Sequence, residues 1–243
     1  MNLVIDAGNS SLRYAWFRER ELINQVSLPL EGGIQWPVPN ELGKAAHILL
    51  SSVVDVPEVW KNTINKSANL IELTPATALP LSNLYRSPQT LGGDRIANAC
   101  GAVALFPSRD VLVVDAGTCL KFDVVTAQGE YPGGSISPGL RMRFEALHQG
   151  TGRLPLLLPA ESAPLTGYDT ETSMQSGILN GMRAEIEGII ADYGQKYPGI
   201  KVLLTGGDGP FFLNHLKTSI FAAPSITLQG LNAILLHNVD INT

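Results

Sequence analysis

The sequence predicts an α/β fold made of two halves of duplicated topology, and three observations carry that prediction. The run Leu3-Val4-Ile5-Asp6-Ala7-Gly8-Asn9-Ser10 returns as Val111-Leu112-Val113-Val114-Asp115-Ala116-Gly117-Thr118, which puts Asp115 109 positions after Asp6. Strand-like and helix-like segments alternate along the chain, the pattern of α/β architecture. At about 150 residues per domain, a chain of 243 residues is one large domain or two small ones, and a recurrence near half its length selects two related halves. The expected halves are 1–108 and 109–243, with the boundary near 106–109.

Taken in order, the apolar run ending at Asp6 reads as a buried strand, and Asp-Ala-Gly followed by a small polar residue reads as a tight turn. A returning strand follows at 12–17. A third apolar run spans 48–54, a helical segment 57–66 and a short strand 70–73. After proline-marked loops, Ile96, Ala97, Ala99, Cys100, Val103 and Ala104 recur at helical spacing over 94–105, and Pro107 stops them. The second copy of the unit has its returning strand at 122–126. A glycine- and proline-rich stretch follows at 131–139, then a helix at 140–148. Residues 150–170 show weak periodicity and read as a long loop, which in a compact domain is usually functional or mobile. Met174, Ile178, Met182, Ile186, Ile189 and Tyr193 then step by three or four, as in an amphipathic helix. A strand at 201–204 runs into Thr205-Gly206-Gly207, a short helix near 211–216 follows, and a last helix near 231–237 can pack on either half.

Composition excludes several classes. With 44% hydrophobic and 16% charged residues, the chain has material for a core and too little charge for disorder. Seventeen basic against 22 acidic residues give a net charge of −5, a field that repels phosphate backbones and argues against nucleic-acid partners. Cys100 and Cys119 have no metal-ligand spacing and read as small core residues of a protein in a reducing compartment. The N-terminus lacks the basic and apolar regions of an export signal, and no apolar run approaches the ~18 residues of a membrane span. A cytoplasmic protein with no membrane partner is expected. The four histidines are scattered, and no P-loop, dinucleotide-fold or hydrolase-elbow motif occurs.

Three features can carry chemistry. Asp-Ala-Gly-Asn is on its own an ordinary turn, but two copies after buried strands can clamp one polyphosphate. Backbone N–H groups approach the phosphates at glycine, and the Asp holds a cation directly or through water. Thr205-Gly206-Gly207 adds a loop where a nucleotide can lie close to the backbone. Gly92-Gly93-Asp94-Arg95 opens a helix; beside the ordinary reading of Asp94 as an N-cap, its carboxylate can accept a proton from a substrate hydroxyl. Arg95 and the helix N-terminus favour a substrate anion. That position keeps Asp94 ionised and a weak base, which suits phosphoryl transfer, where positioning and charge neutralisation dominate.

The ordered set of Asp6-Ala7-Gly8-Asn9-Ser10, Tyr85 with Gly92-Gly93-Asp94-Arg95, Asp115-Ala116-Gly117-Thr118, Gly133 to Gly139, Thr172 with Ser176-Gly177, and Thr205-Gly206-Gly207 resembles type III pantothenate kinases over nearly the whole chain. These belong to the actin-like sugar kinase and Hsp70 ATPase superfamily. The resemblance implies two actin-like, ribonuclease H-like subdomains with an ATP cleft between them, and ATP-dependent phosphorylation of pantothenate, the first step of coenzyme A synthesis. It implies that Asp6, Ala7, Gly8, Asn9, Ser10, Ser11, Leu12 and Arg13 hold ATP phosphates and magnesium, with Asp6 on Mg2+ directly or through water. It makes Thr118, Gly206 and Gly207 ATP contacts, Asp94 the proton acceptor, and Tyr85, Gly92, Gly93, Asp94, Arg95 and Thr172 pantothenate contacts. Asp115 would coordinate a monovalent cation, K+ or NH4+, and the protein would be a homodimer. Lys121 departs from the family pattern, which has threonine or a similarly small residue there; a lysine on that strand can point into the nucleotide cleft. The alternatives are an actin-like kinase for another small hydroxylated substrate and a non-catalytic accessory or regulatory relative. A chain of net −5 should depend on backbone N–H groups and on cations held at Asp6 and Asp115 to bind ATP at all.

Overall fold

The computed structural model describes residues 1–30, 36, 45–65 and 68–241. The chain forms two compact units. Unit 1 comprises Met1–Ser108, Ala127–Pro132 and Ser225–Thr243, and unit 2 comprises Arg109–Thr126 and Gly133–Pro224.

The unit 1 sheet is built from β1 (Asn2–Ala7), β2 (Ser11–Arg18), β3 (Glu21–Pro29), β4 (His47–Ser52) and β5 (Asn69–Glu72), in the order β3-β2-β1-β4-β5. β1 is antiparallel to β2 and parallel to β4, and all six of its residues are buried, as expected of a central strand covered on both faces. Leu3, Ile5 and Ala7 alternate onto one face, where they join Leu12, Ile48, Leu50 and helix α1 (Glu58–Ile64) through Trp60 and Ile64. Lys66, at the end of the helix expected over 57–66, lies outside the described residues. The short strand β6 (Ser82–Asn83) precedes a 3-10 turn at Pro88–Thr90 and helix α2 (Gly93–Leu105).

Unit 2 repeats the arrangement. β7 (Val111–Ala116), β8 (Cys119–Val125), β10 (Gly133–Pro138), β11 (Lys201–Thr205) and β12 (Phe221–Ala222) order as β10-β8-β7-β11-β12, with the same parallel and antiparallel pairings. The first, second, third, fourth and fifth strands of each unit thus occupy the same places, and the sequence echo is a structural duplication. Helix α3 (Leu140–Gln149), helix α4 (Thr170–Gln175), a π-turn at Ser176–Asn180 and helix α5 (Gly181–Lys196) lie between β10 and β11, and α6 (Gly209–Leu213) follows β11. Phe122, Leu140, Phe144, Met182, Ile186 and Phe212 fill the core.

Three features differ from the pattern read off the sequence. β3 and β10 were not anticipated: β3 has mostly exposed residues and β10 reads Gly-Gly-Ser-Ile-Ser-Pro, so neither carries an apolar signal. β9 (Glu130–Tyr131) pairs in parallel with β6, and Leu84 N–H donates to Tyr131 O at 2.9 Å, so residues 127–132 group with unit 1. The single amphipathic helix expected from Thr172 onward contains the π-turn; Met182, Ile186 and Ile190 are buried, and Ile189 and Tyr193 pack partly buried on the same core. Cys100 is buried, and burial pushes its thiol pKa up; Cys119 is only half-buried.

The last helix, α7 (Ile226–Ile241), belongs to unit 1 and packs on β1, β2, β4 and above all α2. Its contact with α2 is made backbone to backbone. A Cβ on Gly230 would lie 1.7 Å from Ala97 O, and one on Gly101 would lie 2.5 Å from Ile226 O. The buried hydroxyl of Thr227 donates to Asn98 Oδ1 at 2.8 Å across the same seam. Alanine is the better helix former by about 1 kcal/mol, but overpacking against rigid backbone costs about 1–3 kcal/mol or more. Gly230→Ala is therefore expected to lower unfolding free energy by about 1–3 kcal/mol in urea denaturation, the clash outweighing propensity.

Candidate active site

In unit 1 the site begins at the end of β1. Asp6 is buried, and its Oδ2 accepts from Arg13 Nη2 at 2.5 Å and Nε at 3.2 Å, a charge-assisted pair made directly across the hairpin. Ser51 of β4 is the register partner of Asp6 on the other side, so Arg13, Asp6 and Ser51 form one row on one face of the sheet. The turn is closed by Gly8 N–H donating to Ser11 O at 3.0 Å, with Asn9 and Ser10 exposed. Ala7 and Leu12 put their side chains in the core, so only their backbone can serve a ligand.

Helix α2 starts against this row. Gly92 is its N-cap, and a Cβ on Gly93 would lie 2.7 Å from Ser51 Oγ, so the helix entry lies close against the strand end. Asp94, in the first turn, accepts from Arg95 N–H at 2.9 Å. A cavity of about 200 Å³ opens beside it, lined by Ser51, Ser52, Asn83, Gln89, Gly92 and Gly93 among others. Arg95 is only 4% exposed and lies beneath Tyr85, its guanidinium carbon 5.4 Å from the ring centroid; Tyr85 in turn stacks on fully buried Tyr131 at 6.2 Å. Unit 1 thus links Asp6, Arg13 and Ser51 to residues 92–95, and these through Arg95 to Tyr85 and Tyr131, with Ser52 on the cavity wall. The two serines end an apolar strand as Thr205-Gly206 does, which was the available signal; Tyr131 comes from a segment distant in sequence and carried none.

Unit 2 repeats the row. Asp115 Oδ2 accepts from Lys121 Nζ at 2.8 Å across the β7–β8 hairpin, with both side chains largely buried, and Thr205 is the register partner of Asp115 on β11. Thr118 is exposed on the intervening turn, where Gly117 N–H donates to Cys119 O at 3.1 Å. Gly206 has φ +91°, and a Cβ there would lie 2.2 Å from Ala116 O and 2.7 Å from Asp115 Oδ1, so only glycine suits this loop. Thr205 Oγ1 is buried without a hydrogen-bond partner. Asp208, on the same loop, has its pKa raised by burial, partly opposed by Arg141.

Thr172 lies in unit 2 with its side chain committed to a capping box: its N–H donates to Asp169 Oδ1 at 2.7 Å, and its hydroxyl accepts from Asp169 N–H at 3.1 Å. Residues 150–169 have no regular structure, but Gln175, Ser176 and Asn180 hydrogen-bond to the carbonyls of Leu158, Leu165 and Pro164 and hold the loop down.

The profile of the type III pantothenate kinase family matches residues 2–192. A type III pantothenate kinase of Christiangramia forsetii is 41% identical over 240 residues, covering 98% of this chain and 99% of the relative. The chain belongs to the type III pantothenate kinase family. Its fold is that of actin-like kinases. A Campylobacter jejuni protein assigned to the Baf family of transcriptional activators superposes with a TM-score of 0.61 at 24% identity, over 98% of this chain and 99% of that one. A Sinorhizobium meliloti protein assigned as a 2-dehydro-3-deoxygalactonokinase gives 0.57 at 16% identity, with the same coverage. For a type III pantothenate kinase, the use of ATP and a divalent metal follows from the family. Among the described residues no group of three or more His, Cys, Asp or Glu could cage a metal. Asp6 Oδ2 is already bonded to Arg13, so a magnesium ion carried by the substrate phosphates would meet Asp6 through water, which suits an ion that keeps several of its waters.

The cap on α4 yields a pH prediction. Hydrogen bonds from the Thr172 backbone and side chain hold the Asp169 pKa below its ordinary 3.8. A depressed carboxylate stabilises the fold fully above its unfolded value, and that contribution is lost as pH falls through the folded one. The difference in Tm between the native protein and Asp169→Ala should be constant at neutral pH and shrink on acidification below about 4.

Proposed function

We propose that the chain transfers the γ-phosphoryl group of ATP to the primary hydroxyl of pantothenate, giving 4′-phosphopantothenate and ADP at the entry to coenzyme A synthesis. One observation carries the reading beyond family membership: the N-terminus of α2, with Asp94 in its first turn, lies against Ser51, the strand neighbour of Asp6. A candidate base and a candidate phosphate loop therefore belong to one compact unit, beside a cavity suited to a small substrate.

In the proposed reaction the hydroxyl oxygen bonds to Pγ, the bond from Pγ to the β,γ-bridging oxygen breaks, and the hydroxyl proton passes to Asp94. The loose transition state asks for positioning and charge neutralisation more than for a strong base. Asp6, already paired with Arg13, would hold magnesium through water, and the ion would supply positive charge to the transferring phosphates. Residues 6–13 contribute backbone N–H groups and Arg13; Thr118, Gly206 and Gly207 contribute the second set of ATP contacts. Tyr85 and residues 92–95 contact pantothenate. The near-complete burial of Arg95 makes it a fixed charge for the substrate carboxylate, reinforced by the helix N-terminus. The committed hydroxyl of Thr172 limits that residue to a contact through its place at the start of α4. Leu158, Leu165 and Tyr168, each about 80% exposed on 150–169, support a homodimer that covers them. No described helix is long and apolar enough to cross a membrane, and we place the activity in the cytoplasm.

Incubation with ATP, magnesium and pantothenate should yield 4′-phosphopantothenate by mass spectrometry, and a panel of sugars should release little ADP. The reverse selectivity would assign the site to another hydroxylated substrate. Asp94→Asn should lose roughly 10²–10⁴-fold in turnover while ATP affinity measured by calorimetry is retained. Near-native turnover would remove Asp94 from the proton-accepting role.

A further inference from the structure

The two rows described above are chemically equivalent. In unit 1 a cation from the second strand, a carboxylate ending the first and a hydroxyl ending the fourth stand abreast as Arg13, Asp6 and Ser51; in unit 2 the same places hold Lys121, Asp115 and Thr205. Each carboxylate is bonded to its cation, at 2.5 Å and 2.8 Å. The lysine that departs from the family pattern is therefore the counterpart of the arginine on the first phosphate loop. The family implies a free monovalent cation on Asp115, and the residues here do not fit one. Asp115 Oδ2 already carries the Lys121 ammonium, and the side chains are only 12% and 13% exposed. A K+ ion on the same carboxylate would meet a fixed like charge in a poorly hydrated place. A Cβ on Gly206 would lie 2.7 Å from Asp115 Oδ1 and one on Gly117 3.5 Å from it, so the carboxylate stands close against both loops of unit 2.

We propose that the Lys121 ammonium, held on Asp115, takes the place of the monovalent cation, so that this kinase needs neither K+ nor NH4+. An alkylammonium carries the same single charge as NH4+ and three N–H donors, and tethering removes the entropic cost of capturing an ion from solution. Lys121 then acts as a fixed positive charge at the second phosphate loop, beside Thr118.

The inference rests on the pantothenate kinase reading, and the experiment separates the two. The full-length protein is assayed with ATP as its Tris salt, magnesium and pantothenate in choline chloride, then in KCl or NH4Cl of equal ionic strength; thallium(I) binding is followed in parallel by 205Tl NMR. Turnover is expected to change by less than about twofold between salts, with no thallium bound. Lys121→Thr is expected to lose roughly 10²-fold in choline, to recover in KCl and to bind thallium. Native turnover that depends on K+, or native thallium binding displaced by K+, overturns the inference. So does a folded Lys121→Thr that stays active in choline. Absence of product in every salt sinks the kinase reading instead, and the thallium titration still decides the cation site. If Lys121→Thr does not fold, the salt comparison and titration on the native protein decide the question alone.

Discussion

A carboxylate at the end of a buried strand has to be neutralised where it stands, because an isolated charge out of water costs several kcal/mol. In this protein that constraint is met twice by the same device, a cation directly across a hairpin. Arg13 serves Asp6 and Lys121 serves Asp115. The pairing explains why each turn is tight, since the partner must come from the opposite residue of the returning strand. It also explains why a chain of net −5 can be expected to bind a polyphosphate: the local charge at each loop is not the global one. Removing one member of such a pair would strand the other, so each row is a structural element whatever ligand it serves.

The second constraint is the glycine-lined contact between α2 and α7. Gly101 and Gly230 let the helix backbones touch, and the Thr227 to Asn98 hydrogen bond sets their register. The near end of α2 is set by another glycine, Gly93, against Ser51. A helix fixed at its middle and seated at its start has little freedom, and the side chain in its first turn is Asp94. The last helix of the chain thereby positions a residue 132 or more places before it, which places the precision of the candidate base in packing far from the chemistry.

The likeness to a protein assigned as a 2-dehydro-3-deoxygalactonokinase, at 16% identity, shows a shared fold, and within this chain the five-stranded order is what the two units have in common. What varies within such a scaffold is the material between equivalent strands. In unit 1, α1 alone lies between the fourth and fifth strands, and 82–105 follow; in unit 2, 140–196 lie between the third and fourth. The substrate-facing candidates in unit 1, Tyr85 and residues 92–95, sit in material that differs between the two units, while the candidate phosphate loops sit at the ends of strands that both units have.

The sequence by itself determined the duplication, the strand-turn-strand units, the α2 segment and which residues form the two strand-end turns. Each is a local pattern: an apolar run, a turn signature or a helical period can be read within a few neighbours. It could not reveal β10, whose glycines are there because a Cβ on Gly134 would strike Phe122 O, nor β3, whose residues are mostly exposed. It left the last helix between two halves, because an apolar face does not name its partner; Gly101 and Gly230 named it only once the backbones met. Ser51 and Tyr131 join the site through strand pairing and ring stacking across long stretches of chain. Lys121 was legible as an odd residue, yet its meaning required the register that sets its ammonium on Asp115. Local propensity and periodicity write themselves into sequence, whereas the partner of a buried charge is decided only by tertiary proximity.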